Sequence, residues 1–359
     1  MMSRRLIPLV LGLLAWVATG CENREVWKIV AVSGAGDRVI AGCESQRGVS
    51  ALVVVTPGSG GKEDVEWLLP PRRLSGLSVQ AAVGLRDDHR AAVVLRQEYG
   101  GVLAWVDLRT GTWRQLLEGW FLCPPVWAPD GDRLAVVGRT DASERYMSAL
   151  VVGVGAKPSR VLALRPPGAQ VTDVRSVAWS PQADRLAVMA RTTDQLGDVW
   201  VTSSSQPGQH WVRVSHSGEG MGDSVAWTAD GRAITFVRVP RRGGAWEVTE
   251  VDPSGTSEPR TVLRYMPQPQ AVLYFAIGPR LAVVREGEGT VQVIRPGVAA
   301  IEVPFKERPL GPCAWCASGR RIAVVAAGRR LYVVDTESGR SRLLFDATGT
   351  GRLARGSGE

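Results

Sequence analysis

Along most of the chain, short runs of aliphatic residues alternate with polar segments rich in glycine, proline, aspartate and serine. The runs are too short for helices, and their flanks are turn-forming, so the pattern predicts many short strands joined by tight turns. Four segments announce a repeating unit: Val126-Trp127-Ala128-Pro129-Asp130-Gly131 with Leu134-Ala135-Val136, Ala178-Trp179-Ser180-Pro181 with Leu186-Ala187-Val188, Ala226-Trp227-Thr228-Ala229-Asp230-Gly231 with Ile234-Thr235-Phe236, and Ala314-Trp315 with Ile322-Ala323-Val324. Three degenerate copies are anchored at Val32, Gly84 and Tyr274. Successive anchors lie 41 to 52 residues apart, the period of a four-stranded propeller blade.

Each unit supplies two further strand-like runs, such as Val102-Leu103-Ala104-Trp105-Val106 and Trp113-Arg114-Gln115-Leu116-Leu117. The inner runs are continuously apolar and the outer ones alternate, as expected when burial falls off from the centre of a blade to its rim. The predicted fold is therefore an all-β, seven-bladed β-propeller of four-stranded antiparallel blades over residues 29–347, followed by a glycine-rich tail, 348–359.

These repeats resemble the TolB-type, WD40-like (PD40) propeller repeat, whose signature is Trp-Ser-Pro-Asp-Gly followed by an apolar strand. Trp127, Trp179, Trp227 and Trp315 match its tryptophan, and Asp130-Gly131 and Asp230-Gly231 match its hairpin turn, whereas Gln182-Ala183 and Ser318 depart from it. The resemblance implies the fold and is silent on activity, since propellers carry binding sites, scaffolds and enzymes alike.

The first residues carry a different signal. Arg4 and Arg5 precede an apolar run, Leu6 to Val17, too short to span a bilayer comfortably. Ala18-Thr19-Gly20-Cys21 resembles the bacterial lipobox, in which cleavage precedes a cysteine that is then diacylated. The resemblance implies a signal peptide at 1–20, lipidation at Cys21 and a short spacer over 21–28. The remainder would sit outside the cytoplasm as a membrane-anchored lipoprotein.

The chain carries a formal charge of +8, with 43 Lys and Arg of which only Lys28, Lys62, Lys157 and Lys306 are lysines. No nucleic-acid module accompanies that charge, so the expected partners are an envelope protein or an anionic envelope polymer, bound by a monomeric propeller. Arginines recur just past the second strand of successive units: Arg96, Arg139, Arg191, Arg238 and Arg285, with Arg241 and Arg242 in a neighbouring loop. Propeller topology puts these positions on one face. They form either a docking rim or a set of strand ends paired locally with acidic loops such as 141–144. Trp120, Phe121, Leu122 and Met221 would add apolar anchors there.

Catalytic parts are few. His89, His210 and His216 are scattered, no Gly-x-Ser-x-Gly elbow is present, and no nucleophile, base and orienter assemble from the sequence. No cofactor or metal is expected. The functional expectation is a binding scaffold, with a lyase- or lactonase-like propeller enzyme acting at the central channel as the alternative. Cys313 and Cys316 lie three apart in a predicted inner strand and so point to opposite faces. A Cys43–Cys313 disulfide closing the ring is conceivable, with buried free thiols the default.

Overall fold

Among the described residues, the apolar runs of the repeating units become strands in the computed structural model. It describes residues 27–35, 38–45, 50–56, 64–69, 77–84, 90–154, 161–168, 171–193, 197–215, 220–239, 244–265, 273–277, 281–285, 289–295, 298–307, 310–316 and 320–347. The signal segment, Cys21, Arg241, Arg242, His89, His216 and the glycine-rich tail lie outside the described residues.

The first sheet contains β1 (Trp27–Ala35), β2 (Arg38–Ser45), β3 (Ser50–Thr56) and β4 (Asp64–Leu69). A second, of eight strands, contains β5 (Ser78–Gly84), β6 (Arg90–Arg96), β7 (Gly101–Asp107), β8 (Trp113–Phe121), β9 (Val126–Trp127), β10 (Arg133–Arg139), β11 (Ser148–Gly153) and β12 (Val161–Leu164). Next come a sheet of β13 (Val171–Trp179), β14 (Arg185–Thr192), β15 (Gly197–Ser203) and β16 (Trp211–Arg213), and one of β17 (Gly220–Trp227), β18 (Ile234–Val239), β19 (Trp246–Val251) and β20 (Arg260–Tyr265). The last two are β21 (Leu273–Ile277), β22 (Leu281–Arg285), β23 (Thr290–Arg295) and β24 (Val298–Pro304), then β25 (Leu310–Trp315), β26 (Arg321–Ala326), β27 (Arg330–Asp335) and β28 (Ser341–Asp346).

The expectation of seven separate four-stranded blades is thereby corrected. Among the described residues there are six hydrogen-bonded sheets, five of four strands and one of eight. The physical reason is β8. It starts as the outermost strand beside β7, with Val106 opposite Trp113. It then runs on without a turn, and its last two residues pair with β10, Phe121 opposite Gly138 and Trp120 opposite Arg139. Residues 119–121, which the sequence pattern reads as loop, are strand. Two glycines make the junction possible: a Cβ at Gly119 would collide with the Arg139 carbonyl, and one at Gly138 would lie 2.6 Å from the Trp120 carbonyl.

Neighbouring sheets pack face to face, as where Met189 and Val199 meet Val225, Trp227 and Phe236 in one buried cluster, which is the propeller arrangement. The two halves of the eight-stranded sheet do the same, Ala92, Val94 and Leu103 meeting Trp127, Leu134 and Val136 in one buried cluster. The second and third strands are the most deeply buried, as in β6, where Ala91 to Leu95 are all buried. The innermost strands are less so. Five of them, β1, β5, β13, β17 and β25, carry register shifts against their second strands, for example between Val79 and Ala81 and between Val174 and Ser176. An inner-strand bulge increases local twist, which helps splay the sheets around an axis.

The ring closes between the first and last sheets. Their strands are consecutive, with no strand shared across the seam among those described. Among the described residues, closure rests on packing and one backbone bond: Val39, Ala41 and Val53 meet Val325, Leu331 and Phe345 in one buried cluster, and Ile29 N–H donates to the Gly328 carbonyl at 2.7 Å.

Inner hairpins obey their sequence signature. Gly131 and Gly231 adopt φ of 76° and 72°, as the turn requires. In the unit that departs from the pattern, Ala183 takes that position at φ 58°, at a cost of roughly 1 kcal/mol.

Candidate binding face

The recurring tryptophans and arginines divide between the two ends of the sheets. At the end that carries the inner hairpins, the arginine that opens a second strand reaches the tryptophan of the following unit. The Arg90 guanidinium lies 5.9 Å from the Trp127 ring centroid, Arg133 4.8 Å from Trp179, and Arg185 4.8 Å from Trp227. Arg90 Nη1 also donates to the Gly131 carbonyl at 3.1 Å, and Arg133 Nη2 donates to the Ala183 carbonyl at 3.0 Å and to Asp130 at 2.6 Å. Trp227 Nε1 donates back to the Ala178 carbonyl at 3.0 Å. This clasp, missed by the sequence reading, had a visible signal: an arginine immediately before the second-strand apolar run, at 90, 133 and 185.

The clasp is structural, and it makes a prediction. Arg133→Ala loses a cation–π contact and the hydrogen bond to the Ala183 carbonyl between neighbouring sheets, together with the pairing to Asp130 in its own hairpin, so it should destabilise the protein by about 2 kcal/mol. Arg232→Ala, whose side chain is 88% exposed and 3.8 Å from Asp230, should lie within about 0.5 kcal/mol of wild type. Urea unfolding of both variants checks this; equal midpoints would remove the clasp from the account of stability.

The predicted arginines stand at the other end. Arg96 closes β6 and is exposed. Arg139 closes β10, half-buried, its guanidinium 5.1 Å from the Trp120 ring centroid. Arg139 Nη1 donates to the Glu144 carbonyl, while its Nε is buried and has no hydrogen-bond partner among the described residues. Arg191 is half-buried in β14, opposite Asp173 on one side and Gly197 on the other. Arg238 lies 3.5 Å from Glu247, a carboxylate that Arg264 also engages at 2.9 Å and to which Thr261 donates at 3.2 Å. Arg285 closes β22, its backbone opposite Leu273 and Thr290. Equivalent strand ends thus carry all five, but the structure brings them to different partners. Trp120 and Arg139 are in contact, whereas Arg238 belongs to a separate carboxylate cluster.

The apolar anchors divide as well. Trp120 is half-buried beneath Arg139, Phe121 is buried, and Leu122 is 37% exposed. Tyr99, unnoticed in the sequence, is 82% exposed in the β6–β7 turn. In the neighbouring β10–β11 loop, Asp141 accepts from the Ser143 backbone N–H at 2.8 Å, and hydrogen bonds from Ser143 hold its carboxyl below the usual range. The four described cysteines are free thiols. Cys43 packs in the seam with Cys316, not with Cys313, and burial pushes the thiols of Cys43 and Cys313 up to about 12.

No protein-family model and no curated protein matches the chain. Solved structures do. A prolyl endopeptidase superposes with a TM-score of 0.64 at 17% identity, over 90% of this chain and 50% of that one, so the chain spans about half the length of that enzyme. The propeller domain of the Trilobed protease from Pyrococcus furiosus, described as having an open velcro topology, gives 0.63 at 12% identity over 90% of this chain and 99% of that one. An acylaminoacyl peptidase from Pyrococcus horikoshii gives 0.62 at 14%, over 92% of this chain and 54% of that one. At such identities the likeness is one of architecture, and it shows that the described chain has the β-propeller fold.

Proposed function

We propose that the protein is a membrane-tethered, extracytoplasmic propeller lipoprotein that acts as a binding scaffold at the cell envelope. The lipobox-like Ala18-Thr19-Gly20-Cys21 supports the tether. The observation that carries the binding role is the Arg139 guanidinium, held at the end of its sheet between the Trp120 ring and the Glu144 carbonyl. An arginine fixed in this way has surrendered its rotamer freedom before any partner arrives, so binding costs less entropy. Arg96 and the turn carrying Tyr99 extend the same end with exposed charge and apolar area. Arginine and tyrosine are the residues that dominate interface energetics. The peptidase neighbours are similar in fold, and what they cleave belongs to them.

Proximity crosslinking in intact cells of the producing organism tests the proposal. A dominant protein adduct should form with the tagged full-length chain and not with a control carrying the signal segment alone. It should fall by about tenfold or more in an Arg96→Ser, Tyr99→Ala variant, both side chains exposed, whose melting curve stays near wild type. Cys21→Ser should release the chain from the membrane fraction. Capture equal to the signal-segment control would overturn the scaffold role, and an unchanged membrane fraction would overturn lipidation at Cys21.

A further inference from the structure

The contacts at the junction end of the eight-stranded sheet form a continuous relay. The Trp120 ring packs over Gly100, where a Cβ would lie 3.6 Å from its Cε2, and Tyr99 is the adjoining residue. Arg139 stacks on Trp120 and bonds to the Glu144 carbonyl. Next to Glu144, the Tyr146 ring has Arg145 5.2 Å and Arg165 5.4 Å from its centroid. Arg165 Nη2 also donates to the Tyr146 carbonyl at 3.2 Å and to Ser148 Oγ at 3.3 Å. The result is a stripe of alternating aromatic and guanidinium groups, drawn from β6–β7, β8, β10–β11 and the end of β12, with Leu122 exposed beside it.

We infer that this stripe docks an acidic linear segment of a partner protein, one that carries aliphatic or aromatic side chains among its carboxylates. The inference rests on the scaffold reading and gives its partner a chemistry. Charge complementarity points to carboxylates: Arg139, Arg145 and Arg165 lie along the stripe and Arg96 is exposed at the neighbouring strand end, and the exposed Arg145 guanidinium, set over the Tyr146 ring, has an edge to offer for bidentate oxygen recognition. The bordering acids are partly engaged within the chain. Asp141 accepts from Ser143, and Glu118 accepts from Gln115 Nε2 at 2.8 Å. The apolar members decide between anions. Tyr99 at 82% and Leu122 at 37% exposure offer contact area that a peptide side chain can cover, whereas a sulfated or phosphorylated polymer has nothing apolar to place there.

Fluorescence anisotropy on the purified full chain tests this with a labelled glutamate-rich peptide containing two leucines, and with its glutamine counterpart. The acidic peptide should bind, weaken with added salt, and bind at least about tenfold more tightly than the glutamine version. Arg145→Ser should cost about tenfold, and Tyr99→Ala several-fold, with no change in melting, because both side chains are exposed. Equal binding of the two peptides would overturn the inference. So would unchanged affinity in both variants, or binding of dextran sulfate or phosphatidylglycerol vesicles without binding of the peptide. Crosslinked capture in cells that survives the Tyr99→Ala, Arg145→Ser double substitution would leave the scaffold standing and remove the stripe. Peptide binding in vitro without any capture in cells would do the reverse.

Discussion

Gly138→Ala should lower the urea midpoint by more than any exposed substitution in the protein, with a loss of roughly 3 kcal/mol. The added Cβ would meet the Trp120 carbonyl at 2.6 Å and the Phe121 ring at 2.9 Å, with Leu150 at 3.4 Å behind them. None of these can step aside cheaply. Trp120 and Phe121 are paired across the ladder with Arg139 and Gly138, and the next residue, Leu122, donates to the Val137 carbonyl at 2.9 Å. The methyl must therefore separate β8 from β10, which parts the two halves of the eight-stranded sheet and lifts Trp120 from Arg139. Gly153→Ala is the control, because its Cβ would meet nothing within 4 Å; it should change the midpoint little. Gly138→Ala should also abolish binding of the acidic peptide probe, whereas Gly153→Ala should not. Superimposable unfolding curves for the two variants would mean that the strand continuation does not hold the sheet halves together.

That junction is also where the sequence reading stopped short. Strand positions were legible because apolar runs and turn residues are local signals, and the inner hairpins at Asp130-Gly131 and Asp230-Gly231 formed where the turn chemistry required. Gly119-Trp120-Phe121 was different. A glycine that permits two backbones to approach looks, along the chain, like a glycine that permits a turn, so β8 seemed to end at Leu117 and the two units seemed separate. The Arg–Trp clasp was half legible. The tryptophans stood out, but their arginine partners lie 37 to 46 residues earlier, as with Arg90 and Trp127 or Arg133 and Trp179, and adjacency of that kind exists only once the sheets pack. The arginine strand ends were found by alignment of the units. What alignment could not supply was the environment of each: Arg139 is set by an aromatic ring from β8, and Arg238 by a carboxylate from β19. Tyr99 escaped notice because exposure of a turn tyrosine leaves no periodic trace.

Leu331→Ala should destabilise the protein by about 3 kcal/mol, and the manner of its loss should differ from that of an equally buried leucine elsewhere. Leu331 is fully buried in the cluster that joins the first and last sheets. At every other sheet boundary the chain itself passes from one sheet to the next, so a weakened contact is held at a short tether. At the seam no strand is shared among those described, and beyond the packed side chains the bond from Ile29 N–H to the Gly328 carbonyl is a single backbone contact. A cavity there lowers the cost of opening the ring without unfolding its sheets, a local opening of the kind that amide exchange reports. Leu103→Ala, fully buried between the halves of the eight-stranded sheet, creates a cavity of the same chemistry away from the seam. Both variants should lose comparable global stability. Only Leu331→Ala should accelerate amide exchange selectively in β1, β2, β26 and β27 while β14 and β15 keep wild-type protection. If exchange rises uniformly in both, the seam opens no more readily than any other boundary, and closure by packing and a backbone bond is as secure as covalent continuity.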